Sequence, residues 1–251
     1  MEIHGKTVLI TGGCGGLGLA MGERFAALGK TVVLLDRDIA RGVPIADKGD
    51  VRLVKIDFAD AANAEQSLRD LVETGLAPDI LINNVGVSPK LDANGERLKA
   101  WTVDLAAWNA IFAVNVTSHF LCARIFLPPM IARGYGRVIN IGSYAARTGG
   151  HQGASHYQTT KSANLGFTRA LARDAAPHGI TVNAINPGRV MTHINADAPA
   201  AINAAFVKTV PLGRLGVPDD IAKAAVFFAS DFADYITGAS LDVNGGVFMP
   251  L

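Results

Sequence analysis

The chain has 251 residues, a net charge of +1 and 18% charged residues against 49% hydrophobic ones. A near-neutral balance with no basic stretch argues against a nucleic-acid partner or an acidic one. Two cysteines, Cys14 and Cys122, are too few and too isolated for a disulfide framework or a thiolate metal site, and they suit a reducing, cytoplasmic setting. The start, Met1-Glu2-Ile3-His4-Gly5-Lys6, lacks the apolar core and small-residue cleavage site of a signal peptide. No uninterrupted apolar run approaches the ~20 residues of a membrane span, so no membrane association is expected. The large apolar fraction is therefore expected inside the protein or between subunits.

Short β-rich apolar runs alternate with longer amphipathic ones. Strands are expected at Thr7–Thr11, Thr31–Leu35, Val51–Ile56, Ile80–Asn83, Arg137–Ile141, Thr181–Ile185 and Ser240–Val243. Each reads as a nearly continuous hydrophobic stretch, as strands covered on both faces do. Between the first two, Leu17, Ala20, Met21, Phe25 and Leu28 form an apolar stripe at helical spacing, stopped by Gly29. Gly42 and Pro44 leave room for only a short or broken helix over 37–50. Asp60 is placed to cap a helix running to about Glu73, and Asp104 one long helix to about Ala132. Further helices fit Ser155–Ala175, Ala198–Lys208 and Pro218–Ala229, the last opened by a proline in its first turn. No linker or low-complexity segment interrupts the alternation. It requires a parallel sheet with right-handed crossovers: a single α/β domain over 1–251, doubly wound in the Rossmann manner with helices on both faces.

The chemistry-bearing residues sit where such a sheet places ligands. Thr11-Gly12-Gly13-Cys14-Gly15-Gly16-Leu17-Gly18 joins the first strand to the first helix, so backbone can approach a pyrophosphate at a helix N-terminus. Asp36, ending the second strand, lies near the position expected to meet an adenosine ribose; a carboxylate there accepts the ribose hydroxyls and repels a 2′-phosphate. Arg37 and Arg41 pull the other way, since an Arg after this strand can pair with that phosphate. With no Lys or Arg in the glycine turn, NAD is favoured over NADP. Further along, Tyr157 and Lys161 are one helical turn apart and project from the same face, so the cation is expected to lower the phenol pKa for general acid–base work. Ser143 ends a strand, where its hydroxyl can reach a bound oxygen.

These motifs, in this order, resemble those of the short-chain dehydrogenase/reductase family over essentially the whole chain. The turn Thr11-Gly12-x-x-x-Gly16-x-Gly18 matches its cofactor fingerprint. Asp57-Phe58 looks like its adenine-contacting pair. Asn83-Asn84-Val85-Gly86 is similar to its Asn-Asn-Ala-Gly motif, with Val in place of Ala. Asn186-Pro187-Gly188 with Thr192 resembles its nicotinamide-side motif, and Asn244-Gly245-Gly246 its C-terminal turn. Asn115, Ser143, Tyr157 and Lys161 fall where the family's catalytic tetrad falls. The resemblance implies that Tyr157 shuttles the proton, Ser143 bonds the substrate oxygen, Lys161 holds the nicotinamide ribose and Asn115 positions a water that connects Lys161 to solvent. Cofactor contacts are expected from Gly12, Cys14, Gly15, Gly16, Leu17, Gly18, Asp36, Arg37, Asp57, Phe58, Asn84, Val85, Gly86, Tyr157, Lys161, Pro187, Gly188, Val190 and Thr192. It also implies a homotetramer, which fits the surplus apolar residues on the helices at 105–132 and 155–175.

Substrate contacts are expected from Ser143, Ala145, His151, Gln152, Tyr157 and His193, with a lid at about 190–212. No second ligand stands at metal-site spacing from His156, and no metal is expected. The expected activity is NAD-dependent interconversion of a secondary alcohol and a ketone, oxidising a small polar alcohol such as a polyol, sugar or hydroxy acid. Two alternatives stand beside it. One is an NADPH-dependent 3-oxoacyl-thioester reductase of the acyl-carrier type, for which Lys90, Arg97, Lys99 and Arg147 offer a basic docking patch. The other is a cofactor-sensing protein without turnover.

Overall fold

Seven parallel strands in the order β3-β2-β1-β4-β5-β6-β7 form one sheet. The computed structural model describes residues 1–47, 49–92, 94–149, 153–192 and 200–250. The strands are β1 (Thr7–Thr11), β2 (Thr31–Asp36), β3 (Val51–Lys55), β4 (Ile80–Asn83), β5 (Gly136–Ile141), β6 (Ile180–Pro187) and β7 (Ser240–Val243). Each expected strand is present; the ends differ by no more than two residues. Alternation within a strand sorts its side chains between two cores. Val8 and Ile10 of β1, with Val32 and Leu34 of β2, pack beneath α1 (Gly16–Ala27). Leu9, Val33 and Leu35 point the other way, against α3 (Ala61–Glu73) and α5 (Ser118–Arg133). Both faces of the sheet are therefore buried, and the central residues of β1 (Val8–Ile10) and β2 (Val32–Leu35) are apolar throughout.

The caps behave as the sequence suggests. Asp60 accepts the Asn63 amide at 3.1 Å, and Asp104 accepts the Ala107 amide at 2.7 Å. Among the described residues of 37–50 there are a 3₁₀ turn at Ala40–Gly42 and a single turn, α2 (Val43–Ala46). α6 (Ala145–Thr148), a short helix after β5, is not foreseen from periodicity. α7 (Ser155–Ala175), α8 (Ala200–Val207) and α9 (Pro218–Ala229) follow, with Pro218 at the start of α9.

The expected helix from Asp104 needs correction. It is α4 (Leu105–Phe112) and α5 joined by a π-helical turn at Ala113–Thr117 that carries Asn115. The Asn115 carbonyl there accepts the Asn164 side-chain amide at 2.9 Å, so a bond from α7 occupies the widened turn. The combined 29-residue stretch Leu105–Arg133 contains an 18-residue window with a mean hydropathy of 1.6, long and apolar enough to cross a membrane by composition. Leu121, Cys122, Ile125, Phe126 and Met130 instead bury its inner face against the sheet.

Candidate active site

The sheet order reverses between β1 and β4, and a crevice opens there at the carboxyl ends of the strands. This cleft has a volume of about 930 Å³. At one end stands Asp36, its Oδ2 accepting the Cys14 amide at 3.0 Å and its Oδ1 the Asp38 amide at 3.1 Å. Asp57 accepts the Ala59 amide at 2.9 Å, and Phe58 lies buried in the core beneath it. The glycine turn forms the floor. Gly12 has φ 62°, and a Cβ there would come within 2.9 Å of the Val85 Cα; one on Gly18 would lie 2.3 Å from the Gly12 carbonyl. α1 then begins at Gly16, with Gly15 at its N-cap and no side chain capping its first amides, which leaves them for an anion. Asn84 fastens β4 to this turn through bonds from its side-chain amide to the carbonyls of Thr11 (3.0 Å) and Gly12 (2.9 Å).

At the other end Ser143, buried after β5, lines the cleft together with Tyr157 and accepts the Ala145 amide at 3.1 Å. Burial pushes the Tyr157 pKa up, and the neighbouring Ser143 hydroxyl only partly offsets the rise. Lys161 is buried too, and burial lowers its pKa to about 8. Its Nζ donates to the Ile141 carbonyl at 2.8 Å. In the protein alone the Lys161 ammonium is held by that backbone oxygen, and the shift of the phenol comes from burial and Ser143. Asn115 is fully buried behind the pair, donating to the Val87 carbonyl at 3.0 Å and the Thr160 hydroxyl at 3.1 Å.

All the residues expected to contact cofactor line the cleft except Gly18, which packs α1 against the turn. Ala145 lines it as well. Asn115 stands behind the wall, and His156 is buried inside the first turn of α7, not in the cleft. His151, Gln152 and His193, with much of the expected lid, lie outside the described residues. Among the described residues no cluster of His, Cys, Asp or Glu is arranged to hold a metal, and both cysteines are buried thiols. Lining residues not singled out from the sequence include Asp38 and Arg189; the latter follows Pro187-Gly188 directly, a placement that could have flagged it. Uncapped helix amides at the turn, a carboxylate at one end and a hydroxyl–phenol pair at the other fit a nicotinamide dinucleotide.

Comparison with known proteins agrees. A family model described as enoyl-(acyl carrier protein) reductase matches residues 13–248. The 3-oxoacyl-(acyl-carrier-protein) reductase of Aquifex aeolicus is 33% identical over 255 residues, covering 99% of each chain. The 2,5-dichloro-2,5-cyclohexadiene-1,4-diol dehydrogenase of Sphingobium indicum is 36% identical over 250 residues, covering 98% of this chain and 97% of that protein. The chain belongs to the short-chain dehydrogenase/reductase family. A solved 3-oxoacyl-(acyl-carrier protein) reductase from Brucella melitensis superposes with a TM-score of 0.90 at 33% identity, over 98% of this chain and 92% of that one. As a member of this family, the protein is an oxidoreductase with a Rossmann-type fold.

Proposed function

We propose that this chain interconverts a secondary alcohol and a ketone with NAD(H), oxidising a small polar alcohol in the cytoplasm. The observation that carries the reading is the convergence of Ser143, Tyr157 and Lys161 on one cleft, with Lys161 buried one turn beyond Tyr157 along α7. The nicotinamide, when bound, supplies or accepts the hydride. Tyr157 holds the proton that moves to or from the substrate oxygen, and Ser143 donates a hydrogen bond to that same atom. Because burial raises the Tyr157 pKa, the phenol keeps its proton at neutral pH in the protein alone. Ketone reduction is then served directly, and alcohol oxidation speeds up as pH rises.

The preference for NAD(H) rests on Asp36, oriented by two backbone amides at the ribose end. A dehydrogenase acting on a diol, as the Sphingobium relative's name states, supports the oxidative direction. The second reading is a 3-oxoacyl-thioester reductase using NADPH. The names of the Aquifex and Brucella relatives favour it, as do Arg37 and Arg41 lining the same end of the cleft. We further propose a homotetramer, since Leu105, Phe120 and Ile131 remain exposed on the outer faces of α4 and α5. Initial rates over a panel of polyols, sugars, hydroxy acids and 3-oxoacyl thioesters, each with both cofactors, test the reading. Polyol, sugar or hydroxy-acid oxidation with NAD supports it. NADPH-driven thioester reduction alone would install the alternative, and no hydride transfer at all would leave the cofactor sensor.

A further inference from the structure

We propose that the substrate carries a carboxylate, and that Lys90 and Arg189 bind it in the same cleft as Tyr157. The inference rests on the oxidoreductase reading above and narrows its substrate class.

Lys90 is placed by a loop that folds back on itself. Its carbonyl accepts the Leu98 amide at 3.0 Å, and Leu91 bridges to Arg97, so Lys90 and Arg97 stand on adjacent arms. Lys90 lines the cleft and so does Arg189, which leaves β6 just after Gly188. Arg189 is oriented from behind. Its Nε and Nη2 both donate to the Asn203 Oδ1, at 3.0 and 2.8 Å, and its guanidinium lies 5.8 Å from the centre of the Phe206 ring. Phe206 in turn meets Tyr144 edge-on at 6.4 Å, next to Ser143 in the chain. The arginine is thus tied through one aromatic pair to the residue beside the proposed chemistry.

The charges that act on Lys90 have one sign. Loss of water around the Lys90 ammonium, then the guanidiniums of Arg189 and Arg97, hold its pKa below the ordinary lysine value; no acidic group is among the causes. Lys90 makes no side-chain hydrogen bond or ion pair among the described residues. An ammonium in a cleft, pressed by two guanidiniums, is stabilised by an anion arriving from solvent. The other basic residues of the loop region do not extend this site to the surface. Arg147 pairs with Asp242 at 3.1 Å and packs 5.2 Å from the Phe248 ring, and Lys99 lies 5.6 Å from the exposed Trp101 ring. This distribution favours a carboxylate on the substrate itself. The phosphate of a thioester carrier is separated from its keto carbon by a long pantetheine arm, and would meet cations outside the cleft.

The test compares acids with neutral counterparts: 3-hydroxybutyrate with its methyl ester, gluconate with glucitol, and 3-hydroxybutyryl-CoA as the thioester arm. Wild-type protein should favour an acid over its counterpart in kcat/KM. Lys90→Gln should lower that ratio by about tenfold or more, through KM, and Lys90→Arg should restore most of it. A ratio that does not move, or a response confined to the thioester, overturns the proposal. Calorimetry on the NADH-loaded protein separates this inference from the reading beneath it. Should no alcohol turn over, the oxidoreductase reading falls. The acid inference still stands if acid binding weakens in Lys90→Gln while ester binding does not, and it falls if both respond alike.

Discussion

At the glycine-turn end of the cleft, three polar side chains proposed to meet the cofactor are fixed by backbone. Asp36 is held by two amides, Asn84 by two carbonyls, and Asp57 by the amide two residues on. At the substrate end the walls come from longer connections. Lys90 rides on the folded-back loop after β4, and Arg189 takes its orientation from Asn203 and Phe206 on α8. The first arrangement is rigid because strand ends set it, and it suits a ligand shared by a whole family. The second depends on side chains reaching across loops, and such connections are where substrates are told apart. Ser143 and Tyr157 stand at the boundary, on the rigid scaffold but facing the adaptable side.

Removing the boundary group should have the largest effect. Tyr157→Phe keeps the ring and deletes the proton carrier, so turnover should fall about 10²–10⁴-fold while cofactor affinity, read by NADH fluorescence, stays near that of the unaltered protein. Near-normal rates would remove Tyr157 from the mechanism. A smaller change is expected from the rigid end. Asp36→Ala deletes the carboxylate proposed to accept the ribose hydroxyls and leaves Arg37 beside the site. A charged hydrogen bond contributes about 1.5–3 kcal/mol, so the ratio of kcat/KM for NAD over NADP should drop roughly 10- to 100-fold. Should the unaltered protein already prefer NADP, the argument from Asp36 is wrong and Arg37 with Arg41 governs that end.

The same contrast explains what could be read without coordinates. Continuous apolar runs located all seven strands, because a strand covered on both faces has little freedom in composition. The glycine turn and Asp36 were legible because few residue types satisfy a left-handed turn or a ribose-facing strand end. The π turn at Ala113–Thr117 was not, since one extra residue in a helical turn barely alters hydrophobic spacing. Nor was the partner of Lys161. Spacing along α7 brought it beside Tyr157, but the Ile141 carbonyl that captures its ammonium comes from a strand twenty residues earlier in the chain. Lys90 was visible only as one of several loop cations. Which cation faces the cleft depends on the Leu91–Arg97 bridge, a pairing with no periodic signal.

The rigid side also carries a hidden electrostatic weakness, and probing it gives the mildest prediction. His119 lies on α5 one turn beyond Asn115, fully buried, with neither ring nitrogen hydrogen-bonded. Burial, and then the nearby charge of Lys161, push its pKa down to about 3. In the unfolded chain the ring takes up a proton below its ordinary value of 6.5, whereas in the folded protein it remains neutral until about 3. Its contribution to stability is therefore complete above pH 6.5 and is lost as pH falls toward 3, at up to about 1.4 kcal/mol per pH unit. His119→Leu fills much of the same space with a side chain that cannot titrate. Urea midpoints at pH 7, 5.5 and 4.5 should fall less steeply in the variant than in the unaltered protein, with the two closest at pH 7. Parallel slopes would mean that the imidazole titrates freely within the fold, and that this side of the cleft accommodates a buried charge as readily as the loops accommodate Lys90.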